Sequence, residues 1–102
     1  MNTSEEIYKQ ITNEELLEME NMAGLFFSPE QICIAMGWDS SVLESFNLAI
    51  ESMDADDILY GHYFKGRIAA EIELRQSIKQ AARNGSNPAQ LTMLDFHKNS
   101  LS

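Results

Sequence analysis

Cysteine occurs once in these 102 residues, at Cys33, so no disulfide can close within the chain and no thiolate cage can hold a metal. Between Ile32 and Ile34, that thiol reads as a small buried apolar group. Proline is nearly as scarce: Pro29 and Pro88 are the two, and each follows a helix-capping residue. No apolar run approaches the roughly 20 residues of a membrane span. The start, MNTSEEIYKQ, is acidic and polar where a secretory leader is basic and then apolar, which predicts a soluble, intracellular and cytoplasmic protein. Cations are few, seven Lys and Arg against sixteen Asp and Glu for a net charge of −9, a poor match to a phosphate backbone. No glycine-rich phosphate loop, no nucleophile spaced with a base and no metal-ligand spacing occurs. The expectation is therefore a non-enzymatic protein without cofactor or metal.

What is present is helix punctuation. Thr12 with Glu15 forms a capping box and opens a helix over about Asn13 to Leu25, whose apolar side holds Leu16, Leu17, Met19, Met22, Ala23 and Phe26. Ser28, Pro29 and Gln31 repeat the signature for a helix from Pro29 to Met36, stopped at Gly37. Asp39 or Ser40 caps a third helix reaching about Met53, burying Val42, Leu43, Phe46 and Ile50. Asp54 and Asp57 cap a fourth, proline-free from Ala55 to Arg83 and about 43 Å long. Gly61 and Gly66 weaken its first half by roughly 1 kcal/mol each, so packing must hold it or a bend occurs. Its apolar residues form two flanks, a width suited to two different surfaces. Gly85 ends it, Asn87 caps a last helix from Pro88 to about Lys98, and Leu91, Met93, Leu94 and Phe96 fold back as an antiparallel hairpin.

The fold class expected is all-α: a small helix-turn-helix head followed by a long helix and a short antiparallel helix. Its divisions are 1–12, an N-terminal segment partly disordered; 13–53, the head; 54–98, a hairpin for oligomerisation; and 99–102, a disordered tail. Charge divides in the same way, −12 over residues 1–57 and +3 over 58–102. Such a split suits an acidic head meeting a basic stem of a neighbouring copy, although acids that merely solubilise the first half would give the same numbers.

Three constellations carry possible chemistry. In the Ser28–Ala49 segment, Ile32, Cys33, Met36 and Leu43 sit where two helices pack, leaving Ser40, Ser41, Glu44, Ser45 and Asn47 to face a major groove; none is cationic. His62 and His97 are far apart, with Asp56 and Asp57 off the helical face of His62, so both read as solvated or interface histidines rather than ligands. Glu14, Glu15, Glu18, Glu20, Asp54, Asp56 and Asp57 read as surface and capping carboxylates.

The order of FSPEQICIAMGW, the aromatic stem LYGHYFKGRIAAEIELRQSI and the junction KQAARNGSNPAQLTML resembles the small subunit of bacteriophage terminases over roughly residues 13 to 98. The resemblance implies a helix-turn-helix head, a hairpin that builds a ring, and a partnership with a large ATPase-nuclease subunit in packaging viral double-stranded DNA, which would put the protein in the host cytoplasm. By position it implies Ser40, Ser41, Glu44 and Asn47 as DNA-facing residues and Tyr63, Phe64, Leu74, Ile78 and Leu91 as the assembly surface. The sequence departs from the pattern in its recognition helix without bases, for which Lys65, Arg67, Arg75, Lys79 and Arg83 would substitute, and in stopping soon after the hairpin. A small dimeric helix-turn-helix transcription regulator and a protein-only adaptor are the alternatives.

Overall fold

A computed structural model describes residues 4–101, and the chain in it is all-α. Its helices are α1 (Ser4–Ile7), α2 (Asn13–Gly24), α3 (Pro29–Met36), α4 (Ser40–Ser52), α5 (Ile58–Arg83) and α6 (Asn87–Leu101), with no strand among the described residues. Two compact units divide it, Met1–Ala69 and Ala70–Ser102.

Local chemistry fixes the helix ends. In α2, Thr12 Oγ1 accepts from the Glu15 amide while Glu15 Oε1 accepts from the Thr12 amide, both at 3.1 Å. In α3, Ser28 and Gln31 make the same reciprocal pair, and Gly37, at φ 72°, stops the helix in the left-handed conformation. Asp39 caps α4 through the Val42 amide and also accepts from the Ser41 hydroxyl. The Ser41 hydroxyl, followed by the Val42 amide, holds the Asp39 carboxyl below its ordinary range.

Several boundaries differ from expectation. The long helix starts at Ile58 rather than Ala55 because residues 54–57 form a turn, with the Asp57 amide donating to the Asp54 carbonyl, and Asp57 is the cap. Before α6 the Ser86 hydroxyl, not Asn87, accepts from the Ala89 amide. That helix continues to Leu101, so positions 99–101 are helical, and Ser102 lies outside the described residues. The first sixteen residues of the expected hairpin segment, 54–69, belong instead to the first unit, whose core takes Leu59 and Tyr63 from α5.

The core of the first unit is Met19, Ala23, Ile32, Phe46 and Leu59, all fully buried, with Leu16, Cys33, Val42 and Tyr63 around them. Phe46 and Tyr63 meet edge to face at 5.4 Å. The N-terminal segment is drawn in as well: Tyr8 is buried, while residues 1–3 lie outside the described residues. Gly66 explains how α5 comes so near α2. A Cβ built there would stand 2.1 Å from the Glu20 carbonyl oxygen and 3.2 Å from Ala23 Cβ. The second glycine of the pair is thus a condition of packing, not a bend. Gly61 meets nothing within 4 Å.

Cys33 is the buried apolar group expected, and burial pushes its thiol up from 9.0 to about 11. Tyr8 moves the same way, chiefly by burial, with the Ser45 hydrogen bond opposing and the Asp57 charge reinforcing the rise. A pKa raised on folding means the neutral form is favoured in the native state. The associated stability is complete below the unfolded value and declines as pH rises through the folded one. Thermal melts between pH 8 and 11 should therefore show stability falling above pH 9, by roughly 2–3 kcal/mol from Cys33 alone. The Cys33→Ala variant should have a shallower alkaline decline. A pH-independent melting temperature across that range would contradict it.

In the second unit, α5 and α6 form an antiparallel hairpin about Gly85, which takes φ 94°. The Gln90 side chain donates through Nε2 to the Ala82 carbonyl near the turn, and farther out the Arg75 guanidinium lies 4.1 Å from the Phe96 ring centroid. Arg75 Nε also donates to Glu71 Oε2 at 3.2 Å, the pairing its four-residue spacing predicts.

Candidate functional site

Helix α4 presents the residues expected to face DNA. Ser40, Ser41, Glu44 and Asn47 are all exposed. Two features limit what they offer to a phosphate. Ser41 already donates to Asp39, and the first unit as a whole carries thirteen carboxylates against Lys9, Lys65 and Arg67. Ser45 does not join this face: it is half-buried and hydrogen-bonded to Tyr8.

The cations on α5 separate into engaged and uncommitted. Lys65 approaches Glu20 at 4.0 Å. Arg67 donates through Nη2 to the Tyr63 hydroxyl at 2.9 Å and lies over the Phe26 and Tyr63 rings at 5.2 and 5.3 Å, while Arg75 is held by Glu71 and Phe96. Lys79 and Arg83 are exposed, and among the described residues neither makes an ion pair. Of the nine candidate DNA residues, these two are the freest cations.

The expected assembly surface requires correction. Tyr63 is a core residue at 4 % exposure and is closed to a partner, because Phe46 and Phe64 cover its ring. Phe64 is half-buried against the same core and meets the Tyr60 ring at a tilt, centroid to centroid 4.6 Å. Ile78 is half-buried, while Leu74 and Leu91 are exposed, at 47 % and 65 %. Leu94, at 48 %, joins them, and no residue from 87 to 100 is buried. A hairpin whose second helix buries nothing leaves its apolar side chains wet.

One cluster escaped the reading of the sequence. An open groove of about 660 Å³ in the first unit is lined by Tyr8, Ile11, Asp57, Ile58, His62 and Lys65, among others. On it, His62 Nδ1 meets Glu20 Oε2 at 2.8 Å, so this histidine has a carboxylate partner from α2 rather than solvent alone. Asp57 is buried at 5 % exposure, correcting its assignment to the surface; its Oδ1 caps α5 through the Tyr60 amide and its Oδ2 accepts from the Tyr8 hydroxyl, each at 3.0 Å. Glu15 is likewise more than a cap, since Oε2 accepts from Trp38 Nε1 at 3.0 Å. That indole, then the Thr12 amide, keep the carboxyl below its ordinary range. The partners of Glu20 and Asp57 stand 42 and 49 positions away, so no local spacing could have announced them. Among the described residues, no three His, Cys, Asp or Glu side chains converge as a metal site would require, and no helix is long and apolar enough to cross a membrane. No family model, no curated protein and no solved structure matches this chain.

Proposed function

We propose that this protein is a non-enzymatic assembly adaptor of the kind the terminase resemblance implies, a helix-turn-helix head on a helical hairpin. In this reading it forms a ring-like oligomer and works with a large ATPase-nuclease subunit in selecting and packaging viral DNA. The observation that carries the assembly part is α6, which buries no side chain from 87 to 100 while Leu74, Leu91 and Leu94 stand about half exposed or more. Apolar surface of that kind is normally covered by a partner. Light scattering should give a molar mass several times 11.6 kDa. A mass of 11.6 kDa maintained at high concentration would end the proposal, and a twofold mass would favour the dimeric regulator.

Within this reading DNA contact falls to exposed cations of α5 such as Lys65, whose side chain is 73 % exposed, rather than to α4, and repetition around an oligomer multiplies weak contacts by effective concentration. Binding to duplex DNA should weaken steeply with salt. Lys65→Ala should lower the log–log salt slope by about one per bound subunit. One observation favours the protein-only adaptor instead: the outer face of α4 has Glu44 and no cation, inside a unit of thirteen carboxylates. No measurable DNA affinity at low salt would select that alternative.

A further inference from the structure

Two exposed helix faces, one in each unit, share one register in opposite directions. On α2 the side opposite Leu16, Met19 and Ala23 carries Glu14, Leu17, Glu18 and, at the closing residue, Leu25. All four are exposed, Leu17 at 58 % and Leu25 at 70 %. On α5, within the second unit, Ile72, Lys79 and Arg83 share one side, apart from the half-buried Ile78, Ala81 and Ala82, and all three are exposed, Ile72 at 51 %. Reading α2 backwards from Leu25, Glu18 and Glu14 come after seven and eleven residues. Reading α5 forwards from Ile72, Lys79 and Arg83 come after the same seven and eleven. Laid antiparallel, the two faces set Leu25 against Ile72, Glu18 against Lys79 and Glu14 against Arg83, while Leu17 falls one residue beyond Glu18. Seven and eleven residues are whole numbers of helical turns to within a fraction, so the matched positions stay on one seam.

Among the described residues none of these four charged side chains makes an ion pair, although Glu71 with Arg75, and Glu20 with Lys65 and His62, do. We propose that the α2 face of one molecule docks antiparallel on the α5 face of a second copy of this chain, with apolar contact at one end of the seam and two ion pairs at the other. This inference rests on the self-association proposed above and adds to it a contact separate from the exposed side chains of α6. It moves the contact from Tyr63, which is buried, to two faces that are open. Because the two faces differ, each molecule offers both halves of the contact, the condition for a chain of copies that closes into a ring.

Charge reversal tests it with full-length protein by sedimentation or light scattering. Glu14→Lys with Glu18→Lys should weaken self-association about 10- to 100-fold, since two screened attractions become repulsions, and Lys79→Glu with Arg83→Glu should do the same. An equimolar mixture of the two variants should associate again, as should the chain carrying all four reversals. Should Glu14→Lys disturb the first turn of α2, the pair Glu18→Lys and Lys79→Glu carries the same test, with thermal melting as the check on folding. If the natural protein assembles and the reversals leave its mass unchanged, or if mixing fails to restore association, the seam is wrong and self-association stands. If the natural protein remains at 11.6 kDa at all concentrations, self-association itself fails.

Discussion

Gly66→Ala should cost about 3 kcal/mol and lower the melting temperature by 10 °C or more, although alanine is the better helix former. Two effects oppose each other. Helix propensity favours alanine by about 1 kcal/mol. Sterics oppose it, because the new Cβ would stand 2.1 Å from the Glu20 carbonyl oxygen and 2.9 Å from its carbon. Those are backbone atoms of α2, so no side-chain rotation relieves the clash, and α5 must draw away from α2. Drawing away would loosen Ala23, which is fully buried, and strain the 2.8 Å pair between Glu20 and His62. Gly61→Ala in the same helix isolates propensity, since nothing lies within 4 Å of its Cβ position. That variant should be more stable than the natural protein by about 0.5–1 kcal/mol. Thermal or urea unfolding of the two variants side by side decides the matter. Equal stabilisation by both would mean that α2 and α5 do not touch as closely as described.

The same pair of glycines marks the limit of what local sequence discloses. Capping at Thr12, Ser28, Asp39 and the stops at Gly37 and Gly85 were legible because each is settled within four residues by hydrogen bonds of the chain to itself. Both glycines in α5 look alike by propensity, and only the approach of α2 tells them apart. Tyr8 was illegible for a related reason. It lies in a polar, acidic stretch with no helix-length periodicity, yet its partners Ser45 and Asp57 are 37 and 49 positions away. The terminase resemblance implied Tyr63 and Phe64 as part of an assembly face, but an aromatic flank long enough to assemble copies is equally long enough to close a core, and Phe46 claims Tyr63. Ser86 took the cap from Asn87 because Pro88, tolerated anywhere in the first turn, does not specify which of the residues before it is the cap.

Asp57→Ala should be the most damaging substitution of any charged residue in the first unit, at about 2–4 kcal/mol. Its carboxylate does two things at once. Through Oδ1 it satisfies the Tyr60 amide at the first turn of α5, a cap contributing about 1 kcal/mol, and its charge faces the positive end of that helix. Through Oδ2 it accepts from the buried Tyr8 hydroxyl, a hydrogen bond to a charged group contributing about 1.5–3 kcal/mol. Removing it strands the α5 amide and leaves the Tyr8 hydroxyl with Ser45 alone. Asp54→Ala is the comparison, since Asp54 is exposed and among the described residues its side chain accepts only from the nearby Asp56 amide; its effect should remain below about 1 kcal/mol. Tyr8→Phe should cost about 1.5–3 kcal/mol in the natural background and about 1 kcal/mol or less once Asp57 is alanine and only Ser45 remains, a coupling of about 1 kcal/mol or more in a double-mutant cycle. Strict additivity would mean that the hydroxyl and the carboxylate do not act together. The N-terminal segment would then be attached by the apolar contacts of Ile7 and Ile11 and not by this bond, and the cap at Asp57 would account for the whole loss.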